Sequence, residues 1–168
     1  MARKRFDPTS RWLTPPDNAA GVVYGLITVG ALMAAESGRH ESYFDALASA
    51  VFATLLYWLA HAYADLLGGR LESGERLTAA ALGRALVHDW AIVRGAAVPL
   101  LALVIAWLVG ASQEAGVTAA LRTAVAAVVL FELLAGIRAK STLGELLLKG
   151  AVGVAMGLAI LAVKGILR

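Results

Sequence analysis

Residues 46–67 read ALASAVFATLLYWLAHAYADLL, and the fold follows from what this stretch lacks. Only His61 and Asp65 bring charge into it, and no solvated face recurs along it. A helix rises about 1.5 Å per residue, so about 20 apolar residues reach across a hydrocarbon layer roughly 30 Å thick. The stretch therefore reads as a membrane span. Four other runs have the same character: AAGVVYGLITVGALMAAE (19–36), AIVRGAAVPLLALVIAWLV (91–109), VTAALRTAVAAVVLFELLAG (117–136) and ELLLKGAVGVAMGLAILAV (145–163).

Composition agrees. Of 168 residues, 60% are hydrophobic and 16% charged, and the mean hydropathy is +0.74, whereas soluble domains carry about a quarter charged residues. The expected fold is an all-α polytopic membrane protein. A basic tail (1–17) precedes one domain (18–168) that bundles five transmembrane helices. Asp17 or Asn18 can cap the first helix, and Gly68-Gly69 is expected to end the second. Between spans two and three, RLESGERLTAAALGRALVHDW (70–90) places Leu77, Ala81, Ala85 and Leu86 near helical spacing. It reads as a short helix lying at the membrane interface. Pro99 is expected to kink the third span after Gly95.

Five spans put the termini on opposite sides. Arg3, Lys4, Arg5, Arg11, Arg70, Arg76, Arg84, Arg94, Arg138, Lys140 and Lys149 fall on one side, and Arg39, Arg122, Lys164 and Arg168 on the other. Basic residues favour the cytoplasmic face, so the N-terminus is expected inside and the C-terminus outside a bacterial-type inner or plasma membrane. The first apolar run follows a Pro-rich tail and has no clear cleavage site, so it reads as a retained helix. Trp12, Trp58, Trp90 and Trp107 stand near span ends, where aromatic anchors are expected.

Several chemistries are excluded. With no cysteine, there is no disulfide and no thiolate site. The net charge of +3 comes without a basic stripe interleaved with aromatics, so no nucleic-acid partner is expected. Ser112 and Ser141 have no base at a recognisable spacing and no phosphate-binding loop is present, so no enzyme is expected.

Charge inside a bilayer is expensive and marks the places to look for function. Tyr57, His61 and Asp65 recur every fourth residue and share one helix face. Tyr24 and Glu132 come to similar depth on spans one and four, while Arg94 and Lys149 begin spans three and five on the same side. Together they define a candidate polar pocket for a cation or protons, with His61 and Asp65 as candidate ligands of a divalent metal ion. The competing reading pairs Asp65 or Glu132 with Arg94 or Lys149 as structural ion pairs. His88-Asp89 reads as solvated in the interfacial segment. Glu36, Arg39, His40, Arg122 and Lys164, at the far end, read as side chains snorkelling to headgroups. Gly21 and Gly25, and Gly153 and Gly157 with Gly150 nearby, form small-residue faces that serve either packing inside the bundle or a dimer contact.

These features resemble the vacuolar iron transporter family. YGLIT (24–28) is similar to that family's aspartate-glycine-apolar-apolar-threonine stretch, aligning Gly25 and Thr28 and placing Tyr24 at the metal-binding aspartate. HAYADLLGGRLE (61–72) resembles the family's methionine-to-glutamate segment, with His61 at the methionine, Asp65 at the glutamate, and Arg70 and Glu72 at a later charged pair. Gly150, Gly153, Ala155 and Met156 resemble its glycine-glycine-x-x-alanine-methionine ending. The resemblance implies five spans, a cytoplasmic N-terminus, a dimer, and a pathway lined by spans one and two. The chain departs from the family at Tyr24 and in lacking a long acidic segment between spans two and three. The expected function is a small homo-oligomeric transporter or channel for cations or protons in a lipid bilayer. The rivals are a non-transporting scaffold or accessory subunit, and a lipid-binding protein using Arg70, Arg76 and Arg84.

Overall fold

A computed structural model describes residues 18–36, 42–73, 78–138 and 143–166. All the regular structure there is helical: α1 (Ala19–Glu36), α2 (Tyr43–Ser73), α3 (Ala79–His88), α4 (Trp90–Leu108), α5 (Gln113–Arg138) and α6 (Leu143–Ile166). Among the described residues, four stretches are long and apolar enough to cross a membrane: Ala19–Glu36, Tyr43–Leu71, Ala79–Leu108 and Gln113–Ala135. The chain is built as a multi-pass membrane protein. The basic tail with Trp12, and Arg39 and His40, lie outside the described residues.

Local sequence starts and stops these helices. Asn18 Oδ1 accepts from the Gly21 amide at 2.7 Å, so Asn18 caps α1. Ser42 and Asp45 bond reciprocally at the start of α2: the Ser42 hydroxyl donates to Asp45 Oδ2 at 2.6 Å and accepts from the Asp45 amide at 3.2 Å. Thr78 accepts from Ala81 at 3.1 Å and opens α3. At the end of α4, Gly110 takes φ 75°. There the Ala111 and Gly110 amides reach back to the Ala106 and Trp107 carbonyls, both at 3.0 Å, closing the helix as a glycine at this position permits.

Two boundaries differ from expectation. α2 runs through Gly68-Gly69 to Ser73, because neither glycine turns left-handed and a glycine inside a helix costs only about 1 kcal/mol. The segment read as a separate interfacial helix leads into span three through a single non-helical residue, Asp89 (φ −83°, ψ 2°). The Ile92 amide still reaches the Asp89 carbonyl at 2.9 Å, so α3 and α4 join directly at Asp89, the elbow between them. α4 continues through Pro99.

α1 packs against α4, α5, α6 and α2, around a core of Val29, Met33, Ala34, Ala50, Ala96, Leu103, Val117, Ala120 and Leu121. The small residues decide how closely the helices approach. A Cβ on Gly25 would collide with the Ile92 carbonyl, and one on Gly95 with the Val22 carbonyl, so α1 and α4 cross backbone to backbone. A Cβ on Gly21 would come 2.9 Å from Ala91 Cβ. On α6, a Cβ on Gly157 would come 2.6 Å from Val125 Cγ1, and one on Gly153 3.5 Å from Val129 Cα, both on α5. Both glycine pairs thus serve contacts inside the bundle. The surroundings of Gly150 and Lys149 fall outside the described residues.

Candidate functional site

The shared face expected on α2 is present. Helical spacing stacks Tyr57 on His61, with ring centroids 5.9 Å apart and planes 18° apart. Tyr24 on α1 closes against both, 5.4 Å from His61 and 6.4 Å from Tyr57. One turn further along α2, Asp65 Oδ2 lies 3.7 Å from His61 Nε2, beyond hydrogen-bonding distance. The side chains are graded in exposure, 24% for His61 and 60% for Asp65.

The third carboxylate comes from the elbow. Asp89 is 1% exposed. Its Oδ1 accepts from Asn18 Nδ2 at 2.9 Å, while its Oδ2 is buried with no hydrogen-bond partner among the described residues. Ligand-capable atoms of His61, Asp65 and Asp89 all lie within 4.8 Å of one another. Trp58, beside Tyr57 on α2, ties the helix to the elbow by donating from Nε1 to the Leu86 carbonyl at 3.0 Å. Its ring also meets Trp90 edge to face at 5.2 Å. The two tryptophans read as membrane anchors therefore also fix α2 against the α3–α4 junction.

A buried carboxylate with an unsatisfied oxygen is unfavourable in a low-dielectric interior, and such groups are found paired or coordinating a metal. Within 4.8 Å of it lie an imidazole nitrogen and an oxygen of a second carboxylate, those of His61 and Asp65. An imidazole nitrogen with two carboxylates is a donor set that suits divalent first-row metals, and the same three groups can hold a proton.

The sequence reading missed Asp89. It placed His88-Asp89 in a solvated interfacial segment; His88 is exposed, but Asp89 is buried. The signal was available: a residue type that favours helix starts stands between two helical patterns, directly before Trp90. Asn18 was read only as a cap, and its second hydrogen bond is tertiary.

Among the described residues, no hydrogen bond or ion pair ties Glu132 or Arg94 to the triad. Glu132 sits on α5 at the α6 contact, its Cγ 3.4 Å from where a Cβ on Gly153 would be. Arg94 keeps a buried Nε without a hydrogen-bond partner among the described residues, and Asp65 stands against His61 instead of Arg94. At the far end Glu36 is buried at 6% exposure, against the snorkelling expected of it, while Arg122 is exposed. No protein-family model, no curated protein and no solved structure matches the chain.

Proposed function

We propose that the chain is a five-span transporter or channel for small cations or protons, with His61, Asp65 and Asp89 as its ion site and a divalent metal ion as the favoured substrate. The observation that carries this reading is the convergence of three ligand-capable side chains from α2 and the elbow, one of them a buried carboxylate with an oxygen to spare. Tyr24 and Tyr57 wall the site on the α1 side. In this reading α1, α2, α3–α4, α5 and α6 are the five crossings, the α3 segment runs along the headgroups, and the basic tail holds the N-terminus in the cytoplasm.

A homo-oligomer, with a dimer favoured, remains part of the proposal. It has to use surfaces other than the Gly21–Gly25 and Gly153–Gly157 faces, which neighbouring helices occupy. The scaffold reading needs Asp65 or Glu132 neutralised by Arg94 or Lys149, and the position of Asp65 against His61 gives it no support.

The test is flux into proteoliposomes carrying a metal-sensitive dye in one preparation and a pH-sensitive dye in another. His61→Ala, Asp65→Asn and Asp89→Asn should each lower the flux of one ion by at least about tenfold, since even groups that only orient metal ligands change affinity by that much. Flux unchanged in all three variants would overturn the reading.

A further inference from the structure

We propose that Asn18 is the positioning residue of this ion site: it holds Asp89 by one carboxylate oxygen and leaves the other free for the cation. The inference rests on the ion-site reading above and extends it to α1, which supplies none of the three ligands.

The Asn18 side chain is used at both ends. Its carbonyl oxygen accepts from the Gly21 amide at 2.7 Å, and its amide nitrogen donates to Asp89 Oδ1 at 2.9 Å, with a longer 3.5 Å approach to the His88 carbonyl. Capping alone does not call for asparagine, because serine, threonine and aspartate accept from the same backbone amide. Among these cap residues asparagine alone adds an amide donor while accepting. An aspartate at this position would cap α1 equally well but set a second anion against Asp89. The choice of asparagine is therefore explained by Asp89.

Glycine at position 21 completes the arrangement. A Cβ there would come 3.1 Å from both Cγ and Nδ2 of Asn18, displacing the amide that reaches Asp89. Further along the same crossing, Gly25 and Gly95 hold α1 and α4 in backbone contact. The start of α1 and the elbow thus move together, and the orientation of Asp89 is set by α1. Hydrogen bonds of this kind orient metal-ligating carboxylates, and their loss typically weakens metal binding by about 10–100-fold.

The test uses the full chain in detergent with Co2+ as the probe, read by its visible absorption, alongside thermal unfolding of each variant. Asn18→Ser keeps a capping oxygen but is too short to reach Asp89. It should leave the melting temperature within a few degrees of the parent, weaken Co2+ binding by about tenfold or more, and alter the absorption spectrum of the bound ion. Asp89→Asn should remove most of the binding. If Asp89→Asn weakens binding while Asn18→Ser binds Co2+ with parental affinity and spectrum, Asn18 is a helix cap only, and this inference falls while the ion site stands. If Asp89→Asn binds as tightly as the parent, or the parent binds no Co2+, the divalent-metal site fails and the inference with it. Asn18→Asp supplies an independent check. It retains the cap and should weaken binding unless the added carboxylate itself becomes a ligand, in which case affinity rises and the proposal is overturned.

Discussion

Replacing Gly25 by alanine adds one methyl group at the tightest point of the α1–α4 crossing. Its Cβ would strike the Ile92 carbonyl and stand 2.8 Å from the Ala96 nitrogen. Ordinary contact needs about 3.5 Å, so the Ala96 nitrogen alone would require the helices to part by roughly 0.7 Å, and the closer Ile92 carbonyl requires more. Both obstacles are backbone atoms, and no rotamer change can absorb the clash. Overpacking costs about 1–3 kcal/mol, and the upper end applies where the backbone itself must shift. For a chain of this size about 3 kcal/mol corresponds to a fall in melting temperature of roughly 6–12 °C. Gly95→Ala should behave alike, and the double variant should lose less than the sum, because helices already separated accept the second methyl more easily. Gly68→Ala and Gly83→Ala are the internal controls: an added Cβ meets nothing within 4 Å at either position. Each should raise stability by about 0.5–1 kcal/mol, as alanine improves on glycine in a helix. Thermal unfolding in detergent, followed by tryptophan fluorescence, reads all five variants. A Gly25→Ala protein melting within about 2 °C of the parent, or a Gly68→Ala protein destabilised as much, would refute the reasoning.

The remaining predictions concern single side-chain tethers. Tyr43→Phe removes the hydroxyl that donates to the Ser112 carbonyl at 2.7 Å, with the Ala111 carbonyl at 3.1 Å. It should cost about 1–2 kcal/mol in thermal unfolding and leave ion flux unchanged. Trp58→Phe breaks the 3.0 Å bond to the Leu86 carbonyl and weakens the grip of α2 on the elbow. It should destabilise by about 1–2 kcal/mol and, unlike Tyr43→Phe, also lower affinity at the ion site, measured by Co2+ titration.

The spans were legible because membrane insertion writes itself into unbroken apolar runs, and the 19–36 run coincides with α1. What local pattern could not decide is how helices continue. Gly68-Gly69 looks like a stop, yet a glycine pair ends a helix only where the chain takes up a left-handed turn, as it does at Gly110. The Tyr57, His61 and Asp65 face was legible because four-residue spacing fixes it without knowledge of neighbours. Asp89 was not, because its inward direction depends on one non-helical residue at the elbow and on Asn18, 71 positions away in sequence. The same holds for glycine: Gly21 and Gly25 announced a close contact, but Gly95, which faces Val22 at the same crossing, appears as its counterpart only once α4 is laid across α1.

The length of α2 carries a last consequence. Its 31 residues measure about 46 Å against a hydrocarbon layer of about 30 Å, and fitting it all inside would need a tilt beyond the usual upper limit of about 40°. One end must therefore stand clear of the oil. Asp65, His61 and Tyr57 succeed one another inward from the Ser73 end, each less exposed than the one before or walled by rings. If the Ser73 end is the one that stands clear, an ion at the proposed site would meet a shoreline instead of a cliff, exchanging its water shell for carboxylate, then imidazole, over one turn of helix.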